Sequence, residues 1–321
     1  MAARNTLRRA LLYIPGSSQR FIDKSRTLTA DCVAYDLEDS VTPHKKAEAR
    51  SLVRRALDQP APEGIRERAV RINSVDSGLA LSDLTEVLQS PNLTTIVIPK
   101  VNSPSDLTFV TDVITHTLSQ QQQTPNRPPI SLLALIESAK SLTNLTQICA
   151  ATPLLQGLIF AAEDFALDLS LTRTPALTEF LFARSMIATA ARAAELPSTI
   201  DLVCTAYRSS QGDGASPPAV LEEECRDGRR LGFNGKQCIH PSQVETAQRI
   251  FGPDPEEVQW AVRVCIADDK AAQAGRGAWT LDGKMIDVPV AEKARAVVKK
   301  AEACGFNVRE LREKWKGQEP E

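Results

Sequence analysis

Short apolar runs recur along this chain, separated by segments of helical period. Runs rich in aliphatic and β-branched residues occupy positions 10–14, 32–37, 69–72, 95–99, 131–136, 157–161 and 200–204, with a weaker one at 235–239. They are short and mostly apolar, the pattern of strands covered on both faces. Helix-period segments lie between them at 21–28, 45–57, 79–88, 103–118, 142–150, 176–196 and 218–231. Strands alternating with helices call for right-handed crossovers and a parallel sheet. Eight such units predict an α/β fold, a closed (β/α)8 TIM barrel. A doubly wound open sheet is the competing arrangement. However, Pro15-Gly16-Ser17-Ser18 after the first run is not the G-x-G-x-x-G turn that cradles a dinucleotide.

The pattern changes after Pro241. Positions 255–274 read as a long helix, 278–288 as a hairpin and 291–304 as a charged helix. Asp282-Gly283 between apolar runs is the signal of a two-residue hairpin turn. The expected organisation is a barrel catalytic domain over 1–244 and a C-terminal helical and hairpin extension over 245–321, resting on the barrel or on a neighbouring subunit. Two stretches read as loops. One is 120–129, polar and Pro-rich. The other is 209–218, with Gly212, Gly214, Pro217 and Pro218, which reads equally as a lid and as a plain connection.

Composition narrows the partners. A formal charge of -2 leaves no nucleic-acid footprint. No run approaches the roughly 18 apolar residues of a membrane span. The seven cysteines are scattered without C-x-x-C spacing, which disfavours zinc and suits buried thiols in a reducing compartment. The first strand starts so early that little room is left for a transit peptide. The expected location is therefore cytoplasmic, with a mitochondrial one left open.

In a parallel barrel the chemistry sits at the C-terminal ends of the strands. Those ends carry Asp36, Glu38 and Asp39, then Arg71 and Asn73, then Lys100, Glu137, Glu163 and Asp164, with Lys236 and His240 flanking the eighth strand. A single strand-end acid is commonly a cap or a loop anchor. Glu137 and Asp164 end consecutive strands and together can hold a hard cation, since Mg2+ takes one or two carboxylates plus water and substrate. There is no H-E-x-x-H to suggest zinc. Arg71 can hold a substrate carboxylate through its planar fork; the alternative is a structural ion pair with Asp36 or Glu38. His240, followed by Pro241, reads equally as catalytic and as loop-fixing.

Taken in order, these positions resemble the citrate lyase beta-subunit-like family of the HpcH/HpaI aldolase superfamily. The likeness runs through R-R-A-L-L-Y-I-P-G (8–16), Y-D-L-E-D-S-V (35–41), V-R-I-N (70–73), V-I-P-K (97–100), L-I-E-S (135–138) and A-A-E-D-F (161–165). It continues through G-F-N-G-K-Q-C-I-H-P-S-Q (232–243) and G-K-M-I-D-V-P (283–289), covering about 8–300. The resemblance implies a (β/α)8 barrel with Mg2+ held by Glu137 and Asp164. It also implies contacts from Arg71 and Glu137 to a keto-acid or hydroxy-acid portion, and a homotrimer or dimer of trimers. In the family's CoA-ester lyases the aspartate of the last motif, here Asp287, acts from a neighbouring subunit. Read from the residues alone, Asp287 is a hairpin-stabilising carboxylate. Arg20 and Lys24 are the implied contacts to CoA phosphates.

The implied activity is a Mg2+-dependent carbon–carbon lyase. It would cleave a 3-hydroxyacyl-CoA thioester of citramalyl-, malyl- or citryl-CoA type to an acetyl thioester and a keto acid. Net condensation or thioester hydrolysis on the same site, or a non-catalytic partner subunit, are the alternatives. Retained Arg71, Glu137, Asp164 and Asp287 argue against the last.

Overall fold

Eight strands close into a parallel barrel in sequence order, β1 (Ala10–Pro15), β2 (Ala30–Asp36), β3 (Ile65–Arg71), β4 (Thr95–Ile98), β5 (Ser131–Ile136), β6 (Leu155–Phe160), β7 (Ser198–Asp201) and β8 (Gly235–Cys238). The computed structural model describes residues 7–120, 127, 129–207 and 219–321. Closure comes from β8 lying beside β1, with Leu11 opposite Gln237 and Leu12 opposite Cys238. The predicted TIM barrel is therefore the fold, and the open doubly wound sheet is not.

Alternation along the strands fills the interior. Leu11, Cys32, Ala34, Ala69, Val97, Leu133, Leu135, Ile159 and Ile200 form one buried cluster inside the ring. Successive strand residues point to opposite faces. The same parity carried one step toward the C-terminal ends reaches Tyr13, Asp36, Arg71, Glu137 and Ala161. The core thus leads directly into the mouth. Gly16, just past β1, lets two strand ends close together: its N–H donates to the Asp36 carbonyl at 2.8 Å, and a Cβ there would lie 2.5 Å from that oxygen.

Several expectations shift in detail. β3 begins at Ile65, before the apolar run, because Glu67 and Arg68 are buried strand residues. The run at 200–204 is strand only to Asp201. The segment 142–150 is two short helices, Ala139–Thr143 and Leu145–Cys149, and the Ala162–Leu169 helix was not anticipated. Lys236 is not a mouth residue. It lies within β8, fully buried, 3.0 Å from Glu224. The expected loop at 209–218 lies outside the described residues, as does most of 120–129.

Contacts divide the chain into two compact units, one running to Gln248 and one spanning Arg249–Glu321. In the second unit the long helix Pro255–Gln273, the hairpin strands β9 (Trp279–Leu281) and β10 (Lys284–Ile286) and the helices Val288–Ala303 and Val308–Lys314 share a core that includes Val262, Cys265, Leu281, Ile286 and Ala294. Asp282 and Gly283 both take positive φ, 51° and 72°, as the Asp-Gly turn requires. All seven cysteines are free, and among the described residues no helix is long and apolar enough to cross a membrane.

Candidate active site

A cavity of about 430 Å³ opens at the C-terminal ends of the barrel strands, lined among others by Tyr13, Asp36, Arg71, Glu137, Asp164 and Gln237. Arg71 is its central cation. Its Nε and Nη2 donate to the two oxygens of Asp36, each at 2.7 Å. Nη1 lies 2.9 Å from Glu38 and 3.4 Å from Asp39, and the guanidinium sits 4.6 Å above the Tyr13 ring. The structural ion pair weighed from the sequence is therefore present, in a residue that also faces the cavity.

Asp36 is saturated with donors. Besides Arg71 it accepts from the Glu38 and Ser40 amides and the Ser40 hydroxyl. Burial works against its charge, yet the Arg71 guanidinium and these bonds hold its carboxyl below the usual range. The other acids fare differently. Burial pushes Glu38 up to about 8, with Arg71 only partly opposing and Asp39 and Glu137 adding to the rise. Burial and then the charge of Asp164 push Glu137 up to about 7. Tyr13, driven upward by burial, stays a phenol and donates to Gln237 Oε1 at 3.0 Å.

Lys100 touches both acids of the expected pair. Its amide donates to Glu137 Oε1 at 3.2 Å, and its ammonium lies 3.6 Å from Asp164. It does so with φ at 52°, a left-handed conformation that costs a non-glycine residue about 1 kcal/mol and recurs where function over-determines the backbone. The donor set fits a hard divalent cation. Two carboxylates, both hard oxygen donors, converge, and a bound cation would oppose the burial and the Asp164 charge that push Glu137 up. Among the described residues no group of three His, Cys, Asp or Glu side chains is placed to hold a metal, so remaining ligands would come from water or substrate.

The other expected residues fall elsewhere. Arg20 and Lys24 are exposed on the Gln19–Ser25 helix that follows β1 and form no ion pair among the described residues. Asp287 belongs to the second unit, where it caps the Val288–Ala303 helix by accepting from the Val290 amide at 3.1 Å. Asn73 is buried between Lys46 and Asp83. His240 caps the turn Pro241–Gln243 through Ser242, the loop-fixing reading. Glu163 points its charge at Arg173 rather than at Glu137. Tyr13 and Gln237 were missed from the sequence. Their signal was a polar side chain at an inward strand position, in Tyr13's case within an otherwise apolar strand, visible only once the barrel parity is known.

Comparison with known proteins agrees with this architecture. The chain is 36% identical over 300 residues to the mitochondrial citramalyl-CoA lyase of Homo sapiens, spanning 91% of this chain and 84% of that one. It is 35% identical over 295 residues to the (3S)-malyl-CoA thioesterase of Cereibacter sphaeroides, spanning 92% and 95%. Its structure is similar to that of CitE from Mycobacterium tuberculosis in complex with magnesium, acetoacetate and coenzyme A, with a TM-score of 0.70, 28% identity and coverage of 93% and 99%. Residues 9–241, the barrel with its mouth, match the model of the HpcH/HpaI aldolase/citrate lyase family, and the chain belongs to that family.

Proposed function

We propose that the protein is a Mg2+-dependent carbon–carbon lyase that cleaves a 3-hydroxyacyl-CoA thioester of citramalyl-, malyl- or citryl-CoA type to an acetyl thioester and a keto acid. The observation that carries this reading is the convergence of Glu137 and Asp164 beside Arg71 in one cavity. Glu137 and Asp164 would hold the metal, which when bound supplies Lewis acidity to the substrate hydroxyl and carboxylate.

The chain's own groups account for the rest. Arg71 keeps two arms on Asp36 and turns Nη1 toward Glu38. Raised to about 8, Glu38 is largely protonated at neutral pH and does not repel a substrate carboxylate arriving at that arm. Arg71 then orients that carboxylate. Asp287, delivered by a neighbouring subunit of a homotrimer or dimer of trimers, takes the hydroxyl proton as general base. The C2–C3 bond breaks, its electrons pass to the thioester enolate, and the C3 oxygen becomes the carbonyl of the keto acid. Protonation of the enolate gives the acetyl thioester. Arg20 and Lys24, exposed on the helix after β1, suit CoA phosphates. The scattered free cysteines suit a reducing compartment, cytoplasm or mitochondrion.

A second reading, thioester hydrolysis on the same site, is favoured by the (3S)-malyl-CoA thioesterase relative. Products separate the two. With Mg2+ and citramalyl-CoA or malyl-CoA, the lyase releases a keto acid that a coupled dehydrogenase reports. Hydrolysis releases free CoA and an intact hydroxy acid. Absence of turnover on every such ester would sink both. Mixed oligomers of Glu137→Ala and Asp287→Ala, each inactive alone, should recover part of the activity. Failure of verified mixed oligomers to do so would remove Asp287 from a neighbour's site.

A further inference from the structure

The two expected metal ligands are held in different ways. Glu137 directly follows β5 and takes the Lys100 amide. The residue after it, Ser138, caps the Ala139–Thr143 helix through a reciprocal pair with Ser141. Asp164 stands in the first turn of the Ala162–Leu169 helix, whose N-cap, Ala161, has no side chain with which to cap it. Among the described residues the Asp164 carboxylate has one ion-pair partner, Lys100, 3.6 Å away. Its place is therefore set by the backbone of an uncapped turn. The far end of this helix is tied by Asp168, which accepts from the Ala139 amide at 2.8 Å. The near end is tied by Glu163.

Glu163 accepts from Arg173 Nη1. The other arm of Arg173, Nη2, donates to Glu224 Oε1 at 2.8 Å and to the Val203 carbonyl at 3.1 Å. Glu224 in turn lies 3.0 Å from Lys236, buried within β8. Val203, just beyond β7, lines the mouth cavity. One guanidinium fork thus joins the connections after β6 and β7 and, through Glu224, β8. Among the described residues the hydrogen-bond and ion-pair partners of Arg173 are Glu163, Val203 and Glu224, not Glu137 or Asp164.

We propose that Arg173 is a positioning residue for the metal: through Glu163 it locks the helix turn that presents Asp164, with Glu224 and Lys236 as its anchor. The inference rests on the metal reading above. Outer partners that orient metal ligands typically matter by about 10- to 100-fold in affinity.

The test turns on sign. Arg173 is a cation near a cation site, so by charge alone its removal should tighten metal binding. By positioning, removal should weaken it. Mn2+ binding to the full-length protein, read by the loss of the free-ion EPR signal, is expected to weaken about tenfold or more in Arg173→Met. Arg173→Lys keeps the charge but loses the fork, and should also bind Mn2+ more weakly. KM for the thioester at saturating metal should change less than the metal constant. Unchanged or tighter binding in Arg173→Met overturns the inference. If that variant fails to fold, unchanged binding in Arg173→Lys overturns it equally. A wild-type protein that binds no Mn2+, or whose binding survives Glu137→Gln, overturns the metal reading and this inference together. Wild-type binding lost in Glu137→Gln but untouched by Arg173 substitution overturns only the inference.

Discussion

Near the N-terminal end of the barrel, Glu67 on β3 meets Arg8 through two hydrogen bonds of 2.6 and 2.7 Å, with Ser198 and Thr95 completing the network. Four residues along the same strand, at the opposite end, Arg71 faces Asp36, Glu38 and Asp39, with Glu137 and Asp164 beyond. The first end matches one guanidinium to one carboxylate. Burial there would raise Glu67, yet Arg8 and Thr95 more than offset it and hold the acid below its ordinary range. The second end gives Arg71 and Lys100 more carboxylates than they can neutralise, and Glu38 and Glu137 rise to about 8 and about 7. The same residue types make a closed plug at one end and an electrostatically unfinished site at the other, although Glu67, Glu38 and Glu137 are all buried. The difference is the ratio of acids to cations: one to one at the first end, an excess of acids at the second.

This contrast can be broken most sharply by substitution at each end. Glu137→Gln should lower kcat by about three orders of magnitude. It should leave the thermal midpoint unchanged or higher, because it removes an acid that folding strains. Arg8→Met should do the reverse. It strands buried Glu67 and should cost about 3–5 kcal/mol of stability by denaturant titration, while leaving kcat of the folded fraction intact. Equal stability losses at both ends would end the comparison.

A smaller effect lies in pH. Glu67, depressed below its ordinary 4.5, contributes stability that is complete above that value and is lost as pH falls through the folded value. Glu137 and Glu38 are raised from 4.5 to about 7 and about 8, so their contribution is complete below 4.5 and is lost as pH rises through those values. Metal-free protein should therefore melt at progressively lower temperature between about pH 5 and about pH 8, and Mg2+ should flatten the decline by binding the carboxylate forms. A decline of equal slope with and without Mg2+ would detach the raised acids from the metal. The smallest effect belongs to the strained residue between them. Lys100→Gly should be more stable than Lys100→Ala by about 1 kcal/mol, since both lose the ammonium and only glycine relaxes at positive φ. Equal stability would mean that the left-handed backbone stores no strain.

Much of this was legible in the chain. The barrel follows from apolar strand runs alternating with helical segments, and Asp282-Gly283 announced its hairpin. Glu137 and the Glu163-Asp164 pair stood out because each closes an apolar run, and only the family resemblance pointed to Asp164 within the pair. Other parts were hidden by the same logic. Glu67 and Arg68 made the start of β3 look polar, although Glu67 is satisfied by Arg8, 59 residues away. Lys236 looked like a rim residue because nothing local shows that Glu224 buries with it. Glu163 and Asp164 are adjacent in sequence, and only the Arg173 contact separates the one that is tied from the one left to face Lys100.

The sequence by itself determined the architecture and the strand ends at which chemistry could occur, because periods of two and 3.6 residues are local properties of the chain. Tertiary structure alone decided which charges are neutralised and which are left in excess. Arg71 reaches Asp36 across 35 positions and Arg173 reaches Glu224 across 51. A carboxyl's proton affinity depends on burial and on neighbours within a few ångströms, and the linear order of residues does not carry those distances.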